Sequence, residues 1–371
     1  MTLSKPIYVS QPFLPPLEEF NVYLEKIWES KWLTNRGDFH QKFEKELAEY
    51  LDVPYVSLLT NGMLALMVAI QALELKGEVI TTPYSFVATT HSIWMNGLKP
   101  VFVDLKPGSF NIDPEKITKA ITSETSLILP VHVYGIPCDC QEIGEIAKAN
   151  NIKVLYDAAH AFGVTKNGNS ILHLGDLSIL SFHATKVFTT IEGGAIISHD
   201  SATKKKIDDL INFGIQNEIA VSRPGLNGKM NELQAAFGLI QLKHFDDIIG
   251  YRENIYNNYL EKLNGIQGIK LFKDFQDFNW NFSYFPILVE DDFWISRDDL
   301  YEYLKEKNIF SRRYFFPLLS TFKPYNELES SAESNLPNAK YISERILCLP
   351  IHTGVTLDDL DKIVSLMCNP K

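Results

Sequence analysis

An aspartate and a lysine after two successive β-rich runs are the residues of this sequence best suited to catalysis. Asp157 ends the run KVLYD, and Lys186 follows the next run within SFHATKVFTT. A lysine amine can form a Schiff base with a pyridoxal cofactor, while a carboxylate can pair with the protonated ring nitrogen and keep the ring an electron sink. The alternative is a turn-capping aspartate and a solvated lysine. The pair together favours the cofactor site.

A glycine turn before a predicted helix offers a place for the cofactor's phosphate. The tetrapeptide TNGM at 60–63 precedes the helical stretch 64–75. The free amides of Gly62 and Met63 would lie at the positive helix end, where anions bind. Ser181 would add a hydroxyl donor to the same phosphate. The alternatives are an ordinary glycine turn before a core helix and a serine whose hydroxyl bonds the backbone.

Two further side chains could contact the cofactor ring. Phe86, in TPYSFVATT, could stack on the ring face, and His160, three residues after Asp157, could reach the phenolic oxygen. An aromatic residue after a strand is more often plain core, and a lone histidine is usually a satisfied core residue. Both assignments therefore depend on their neighbours.

The elements that must position these residues alternate between strand and helix. The β-rich runs are Glu78 to Thr82, Pro100 to Asp104, Leu127 to Val131, Lys153 to Asp157, Leu177 to Phe182 and Ala195 to Ser198. Their apolar character on both sides predicts a mainly parallel sheet with helices on both faces. Its ligand should bind beyond the carboxyl ends of the strands. The sequence has no GxGxxG after the first strand and no Walker motif, which disfavours dinucleotide and nucleoside-triphosphate folds.

Helical patterns open the chain and divide it. Residues 17–31 and 39–51 have apolar side chains at helical spacing, and Asp38 with Gln41 predicts a capping box at the start of the second helix. A long helical pattern follows Asn231 and reaches about residue 263. We predict a large cofactor-binding domain over 1–245 and a smaller C-terminal domain over 246–371.

The amino-acid composition indicates the cellular compartment and disfavours some classes of binding partner. The 371 residues carry 35 Lys and Arg against 46 Asp and Glu, a net charge of −11, which opposes non-specific binding to nucleic acid or an anionic membrane. Four cysteines are too few for a disulfide scaffold, and they have no spacing for zinc. The N-terminus lacks a signal-peptide pattern. These features predict a cytoplasmic enzyme without a metal.

Eight segments in order resemble the DegT/DnrJ/EryC1/StrS family of pyridoxal-phosphate-dependent sugar aminotransferases over nearly the full chain. They are WLTNRGDFHQKFEKELAEYLDV (32–53), TNGMLAL (60–66), TPYSFVATTHS (82–92), PVHVYG (130–135), YDAAHAFG (156–163), SFHATKVFTTIEGGA (181–195), LNGKMNELQAAFGLIQL (226–242) and LCLPIH (347–352). The resemblance implies an α/β fold of the fold-type I, aspartate aminotransferase-like class. This class has a mostly parallel central sheet flanked by helices and a smaller C-terminal α/β domain.

The resemblance also implies a role for each candidate residue. Lys186 matches the Schiff-base lysine, Asp157 the partner of the pyridine nitrogen, and Phe86 the stacking aromatic residue. The residues that match the phosphate cradle are Gly62, Met63 and Ser181. Asn227 matches an asparagine that reaches the phosphate of the neighbouring subunit, which implies a homodimer with shared active sites.

Some positions depart from the family pattern. Met63 stands where threonine is usual, so a hydroxyl donor is lost, and His160 replaces a common glutamine. Val187 and Ile191 replace frequent asparagine and glycine. The lysine itself is retained, whereas the dehydratase branch of the family has histidine there, so the resemblance implies amino transfer.

The implied reaction moves an amino group from L-glutamate to a nucleotide-linked keto sugar. The run of motifs, including KPIYVSQPFLPPLEEF and RRYFFPL, implies amination at C4 of a dTDP-linked 6-deoxy sugar. Amination of a 3-keto isomer or of a UDP-linked 4-keto sugar is the alternative. Arg312 and Arg313 could bind the diphosphate, or could be a solvated basic pair. A cofactor-binding regulator without turnover and an NAD-dependent oxidoreductase are the hypotheses from other classes.

Overall fold

The computed structural model describes residues 5–272 and 277–368. Its helices are α1 (Leu17–Ser30), α2 (Asp38–Tyr50), α3 (Gly62–Leu73), α4 (Val87–Met95), α5 (Pro114–Ala120), α6 (Cys140–Asn150), α7 (Ser201–Leu210), α8 (Glu232–Leu263), α9 (Arg297–Glu306), α10 (Pro337–Arg345) and α11 (Leu357–Cys368). Short 3₁₀ helices span Val133–Gly135, Ile171–His173, Leu319–Thr321, Glu329–Ser331 and Glu333–Asn335.

The strands are short and spread along the chain. They are β1 (Ile7–Tyr8), β2 (Tyr55–Leu59), β3 (Glu78–Thr81), β4 (Lys99–Phe102), β5 (Thr125–Leu129), β6 (Lys153–Asp157), β7 (Thr165–Lys166), β8 (Asn169–Ser170), β9 (Leu177–Ser181), β10 (Gly194–Ser198), β11 (Ile215–Asn217), β12 (Ala220–Val221), β13 (Ile269–Leu271), β14 (Phe278–Asn279), β15 (Phe285–Val289), β16 (Ile309–Phe310) and β17 (Ile346–Leu349).

A seven-stranded sheet forms the centre, in the order β2-β10-β9-β6-β5-β3-β4. β10 runs antiparallel to both of its neighbours, and the other four pairs are parallel. The predicted α/β fold with a mostly parallel sheet is confirmed. The sequence reasoning missed β2, because a short apolar run such as YVSLL has no periodicity that separates a strand from a buried helix segment.

Helices cover both faces of this sheet, as predicted. Leu155 and Ile179 face the layer that contains α3, α4 and α7. Their neighbours Val154 and Leu180 face the opposite side, where α5 and α6 cover one half and α2 and α8 the other. Successive side chains of a strand alternate between faces, so Asp157 follows Leu155 onto the α3 and α4 side.

The capping box predicted for Asp38 and Gln41 at the start of α2 is wrong. Asp38 is the first helical residue rather than the N-cap, which is Gly37, and neither makes a side-chain cap. The buried carboxylate of Glu232, on α8, instead accepts hydrogen bonds from the amides of Phe39 (2.8 Å) and His40 (3.1 Å). Gln41 donates to a backbone carbonyl outside the helix. A local capping rule could not find a cap supplied by a distant helix.

Three other helices are capped by side chains that are close in sequence. Asp113 accepts from the amide of Glu115 ahead of Pro114, and Ser296 caps α9 through the amide of Asp299. Thr356 and Asp359 bond reciprocally at the start of α11. Such bonds satisfy amides that a helix leaves free at its N-terminus.

The long helix α8 leads from the central sheet to the C-terminal elements. It begins with a capping box between Asn231 and Gln234 and continues to Leu263. A three-stranded antiparallel sheet of β13, β15 and β17 follows, with α9 to α11 around it. The predicted domain boundary after residue 245 lies inside α8 and stays a prediction. Within 5–272 and 277–368, no helix is long and apolar enough to cross a membrane.

Candidate active site

The residues selected from the sequence meet where β6 and β9 end. These two strands are parallel neighbours, and Asp157 and Ser181 are their last residues. Lys186 lies in the turn between β9 and β10. This is the carboxyl edge of the parallel part of the sheet, where open α/β folds bind their ligands.

Asp157 is a buried carboxylate held by two donors. Its side chain is 4% exposed. Oδ2 accepts from the Thr89 hydroxyl at 2.8 Å and Oδ1 from the Ala159 amide at 3.2 Å. Burial raises the pKa of Asp157, and these bonds and the charge of Lys186 oppose the rise. Each carboxylate oxygen can accept a further hydrogen bond, so Asp157 can also bind a cationic partner.

Lys186 is half-buried and close enough to Asp157 for the two charges to interact. Its Nζ makes no hydrogen bond or ion pair with any residue of the described ranges. Burial lowers the pKa of Lys186 to about 8, although Asp157 opposes this shift. A lysine amine that loses its proton near physiological pH can act as a nucleophile and as a proton carrier.

His160 belongs to the same site and has a defined tautomer. Its Nδ1 accepts from the amide of Tyr134 at 3.1 Å, so the hydrogen of the neutral ring is on Nε2. Burial, and next the positive charge of Lys186, lowers the pKa of His160, which keeps the ring neutral. The ring lies parallel to that of Phe315, with centroids 6.0 Å apart.

The predicted phosphate cradle is brought together at the start of α3. Asn61 is the N-cap, and its Oδ1 accepts from the amide of Leu64. A Cβ on Gly62 would lie 2.7 Å from the Cβ of Ser181, so only glycine lets the helix end approach the serine this closely. Among described residues, nothing accepts from the amides of Gly62 and Met63. Amides at a helix N-terminus beside a hydroxyl are suited to bind an anion, and the phosphate role of these groups stays a prediction.

Phe86 immediately precedes α4 and is 60% exposed. Thr89, one turn further along the same helix, is the residue that donates to Asp157. The start of α4 therefore joins an exposed aromatic ring to the buried carboxylate. A ring with a free face can stack on a planar ligand.

Asn227 is exposed on a loop beside the cradle. The carbonyl of Gly228 accepts from the amide of Thr60 at 2.9 Å, which attaches this loop to the residue before Asn61. The Oδ1 of Asn227 accepts from Lys229 Nζ at 3.0 Å. This bond leaves the amide hydrogens of Asn227 for another partner, and its role across a subunit boundary stays a prediction.

The two candidate arginines, Arg312 and Arg313, have different surroundings in the structure. Arg313 forms an ion pair with Asp298, at 2.6 Å, and lies 4.4 Å over the ring of Tyr301. Arg312 is exposed and has no ion pair with any described residue, and its charge reaches Tyr314. The structure therefore favours Arg312 over Arg313 as a diphosphate ligand, and both roles stay predictions.

Sequence reasoning missed a group of buried tyrosines that fixes the segment after Arg312. The hydroxyls of Tyr84 and Tyr134 lie 2.6 Å apart, and both donate to the carbonyl of Tyr314. Tyr84 lies two residues before Phe86, inside TPYSF, so a motif already in view contained it. Nothing local in the sequence indicated its partner at position 314, which comes from the C-terminal part.

These residues fit pyridoxal phosphate. A lysine amine with no partner among the described residues lies near a buried carboxylate, and a helix N-terminus next to a serine hydroxyl can hold a phosphate dianion. The neutral His160 ring presents an N–H, and the free face of Phe86 suits a flat aromatic ring. Each of the cofactor's functional groups thus has a complementary side chain.

Comparison with known proteins agrees with this fit. The model of the DegT/DnrJ/EryC1/StrS aminotransferase family matches residues 17–368. The chain is 55% identical over 363 residues to a dTDP-4-amino-4,6-dideoxy-D-glucose transaminase of Shigella dysenteriae and 51% identical over 364 residues to one of Escherichia coli. Each alignment covers 98% of both proteins. A crystal structure of DesI in the presence of its TDP-sugar product superposes with a TM-score of 0.94 at 30% identity, covering 98% of this chain and 93% of that chain.

Proposed function

Because this chain belongs to the DegT/DnrJ/EryC1/StrS aminotransferase family, we propose that it moves the amino group of L-glutamate to the 4-keto carbon of dTDP-4-keto-6-deoxy-D-glucose. The product is dTDP-4-amino-4,6-dideoxy-D-glucose, a precursor for surface polysaccharide such as O-antigen. The enzyme is a pyridoxal-phosphate-dependent aminotransferase. The observation that carries the proposal is the lysine and aspartate pair at adjacent strand ends, in a chain 55% identical to a transaminase named for this product.

Lys186 carries out the two chemical tasks of the protein in this reaction. Pyridoxal phosphate, when bound, supplies the aldehyde that accepts the amino group and a ring that takes up electron density. The amine of Lys186 would hold the cofactor and, when free, would take a proton from the substrate carbon as a base and give up a proton as an acid. A pKa near 8 makes both protonation states accessible at neutral pH.

Asp157 and His160 set the charge around the cofactor ring. The buried carboxylate of Asp157 favours a protonated ring nitrogen, because a negative charge away from water stabilises a nearby positive charge strongly. The neutral imidazole of His160 offers its Nε2 hydrogen to an oxygen acceptor. Asp157 would thus hold a proton on the ring nitrogen, and His160 would donate one to the phenolic oxygen.

The amides of Gly62 and Met63 and the hydroxyl of Ser181 hold the phosphate. The position equivalent to the usual family threonine is Met63, so this helix end offers backbone donors and one serine. Phe86 excludes water from one ring face by stacking. These residues would keep the cofactor in place during the reaction.

Arg312 is our candidate for the diphosphate of the sugar nucleotide. Its guanidinium is exposed and unpaired among described residues, and guanidinium groups match phosphate oxygens with two parallel hydrogen bonds. The net charge of the chain is −11, so a local cation is needed to attract this dianionic group. The Tyr84 and Tyr134 bonds to the Tyr314 carbonyl keep the adjacent backbone in place.

We also infer a homodimer with shared active sites. The β11–β12 hairpin exposes apolar side chains, with Ile219 96% and Val221 66% exposed. This hairpin is continuous with the Asn227 loop, since Asn212 and Asn227 form a bridge at its base. Exposed apolar surface is typical of a protein interface, and a second copy there would bring Asn227 towards the other phosphate site.

The cytoplasm is the proposed compartment. All four cysteines are unpaired, and Cys138 and Cys348 are buried thiols, as in proteins of a reducing environment. The sugar nucleotide is a soluble substrate. A fractionation experiment with an antibody against the intact protein would test this location.

Incubation with defined substrates tests the proposed function. Purified protein with pyridoxal phosphate and L-glutamate is given dTDP-4-keto-6-deoxy-D-glucose, its 3-keto isomer, or a UDP-linked 4-keto sugar, and products are identified by mass spectrometry and NMR. We expect 4-amination of the dTDP-4-keto sugar at the highest kcat/KM. Preferred amination of either alternative would reject the proposed substrate, and absence of amination with all three would reject the activity.

A further inference from the structure

A segment of the C-terminal part, residues 280–283, forms a buried strap against the backbone of the active-site turn. The Nδ2 of Asn281 donates to the carbonyls of His160 at 2.8 Å and Phe162 at 2.9 Å. The Ser283 hydroxyl donates to the same His160 carbonyl at 2.7 Å. Asn281 and Ser283 are 2% and 5% exposed.

The strap also bonds the turn at Tyr134, and this turn contacts the His160 ring. Trp280 donates its indole hydrogen to the carbonyl of Tyr134 at 2.8 Å, and the amide of Tyr134 donates to His160 Nδ1. A Cβ on Gly135 would lie 2.7 Å from the His160 carbonyl oxygen and 2.8 Å from Asn281 Oδ1. The strap, the Tyr134 turn and the His160 peptide thus pack without room for one more carbon atom.

The strap is itself fixed from α8. Arg252, which is 5% exposed, donates through Nε to the carbonyl of Phe282 at 2.9 Å and through a terminal nitrogen to that of Ser283 at 2.6 Å. A continuous set of buried hydrogen bonds therefore runs from α8 through the strap to His160. Buried networks of this kind hold their members in one arrangement, because an unpaired polar group away from water is costly.

We propose that Asn281 and Ser283 are positioning residues for amino transfer, which act by fixing the peptide and ring orientation of His160. The inference rests on the proposed function for the role of His160 at the cofactor ring. The side-chain hydrogen bonds found for Asn281 and Ser283 go to the backbone of His160 and Phe162 and to each other, and not to Lys186 or Asp157. Both act on His160 from its backbone side, so their loss should affect turnover more than binding.

Kinetics of matched variants test this inference. We expect Asn281→Ala and Ser283→Ala to lower kcat about tenfold with KM for both substrates within about twofold. The control is Asn96→Ala, since Asn96 also bridges two backbone carbonyls, those of Met67 and Ser92, but lies at the end of α4 away from His160. Its kcat should match that of the original protein.

A second readout is independent of the reaction. In the full-length protein stripped of cofactor, ¹⁵N-histidine NMR should show His160 with Nδ1 bare and Nε2 protonated, the signals being assigned by their loss in His160→Gln. In Ser283→Ala, whose side chain has nearly the volume of serine, the two signals should move towards each other as the tautomers mix.

The outcomes separate the inference from the proposed function. Unchanged His160 signals in Ser283→Ala, or a kcat equal to that of Asn96→Ala, would overturn the positioning role even if the enzyme aminates its sugar. Failure of the original protein to aminate any keto sugar nucleotide would instead overturn the proposed function, while the NMR result would still decide whether the strap orients His160. If Asn281→Ala does not fold, Ser283→Ala decides alone.

Discussion

The cofactor side and the substrate side of this site are built differently. The cofactor side consists of residues at the ends of neighbouring strands and at the start of α3, and Asp157 there is 4% exposed with two hydrogen bonds. The proposed substrate side is around Arg312, which is exposed, and its backbone is held through the carbonyl of Tyr314. The first side holds buried groups in fixed positions, and the second presents a cation to solvent.

The difference indicates where chemistry and specificity lie. Stabilising charge on a cofactor ring requires side chains that are already oriented and shielded from water. Residues at a buried sheet edge meet both conditions. Recognition of different sugar nucleotides requires residues that can change without disturbing that arrangement. The variants below separate the two sides, since changes on the cofactor side should lower kcat and changes on the substrate side should raise KM.

Removal of the lysine should give the largest effect. Lys186→Ala takes away both the nucleophile and the proton carrier, and we expect kcat to fall by at least about 10⁴-fold. Steady-state assays with L-glutamate and the 4-keto sugar nucleotide measure this loss. Lys148→Ala, an exposed lysine of α6, is the control and should retain full activity. Activity of Lys186→Ala within tenfold of the control would show that another residue is the catalyst.

Neutralising the buried carboxylate of Asp157 should give the second-largest loss of activity. Asp157→Asn preserves the shape and can still accept from Ala159, but it loses the negative charge, and we expect kcat to fall about 10²-fold. Thr89→Val removes a hydrogen bond to Asp157 and leaves the charge, so its effect should be smaller. Equal losses in the two variants would mean that the charge of Asp157 is not what matters.

Substitutions on the substrate side should change KM rather than kcat. Arg312→Ala should raise KM for the sugar nucleotide about 10- to 100-fold, because a charge-assisted contact with phosphate contributes about 1.5–3 kcal/mol. KM for glutamate should change little. Arg313→Ala, which breaks the pair with Asp298, should leave both constants within about twofold. A larger KM effect in Arg313→Ala than in Arg312→Ala would reverse our assignment.

The deprotonated fraction of the Lys186 amine should rise with pH, and this effect should be smaller than those of the substitutions. Because burial lowers its pKa to about 8, the deprotonated fraction of the amine should rise about tenfold between pH 7 and pH 9 and then level off. Trace acetylation of the cofactor-free protein, quantified peptide by peptide, measures this fraction, and Lys148 in the same sample gives the reference profile. A Lys186 rate still rising steeply above pH 10 would contradict the lowered pKa.

The sequence predicted the cofactor side far better than the substrate side. Asp157, Ser181 and Lys186 occur in two short motifs, and parallel strands bring their carboxyl ends together, so order along the chain was enough to expect their convergence. The strands of the central sheet other than β2 were also predicted, because short β-rich runs are local features. The roles assigned to these residues stay predictions until the variants are measured.

Contacts between distant segments were not predictable in the same way. Glu232 caps α2 from another helix, Tyr84 bonds the carbonyl of Tyr314, and Asn281 holds His160, each across more than a hundred residues. Arg312 and Arg313 are adjacent in sequence, yet only the structure shows that one is paired with Asp298. No residue pattern encodes such partners, since packing of the whole chain decides them.

Borohydride reduction followed by peptide mapping tests the central assignment most directly. The active protein is reduced with its cofactor bound, digested, and searched by mass spectrometry for a pyridoxyl group. Our account predicts a single stable modification, on the peptide that contains Lys186, with simultaneous loss of transaminase activity. Modification of a different lysine, or an unmodified Lys186 in fully reduced and inactive protein, would contradict it.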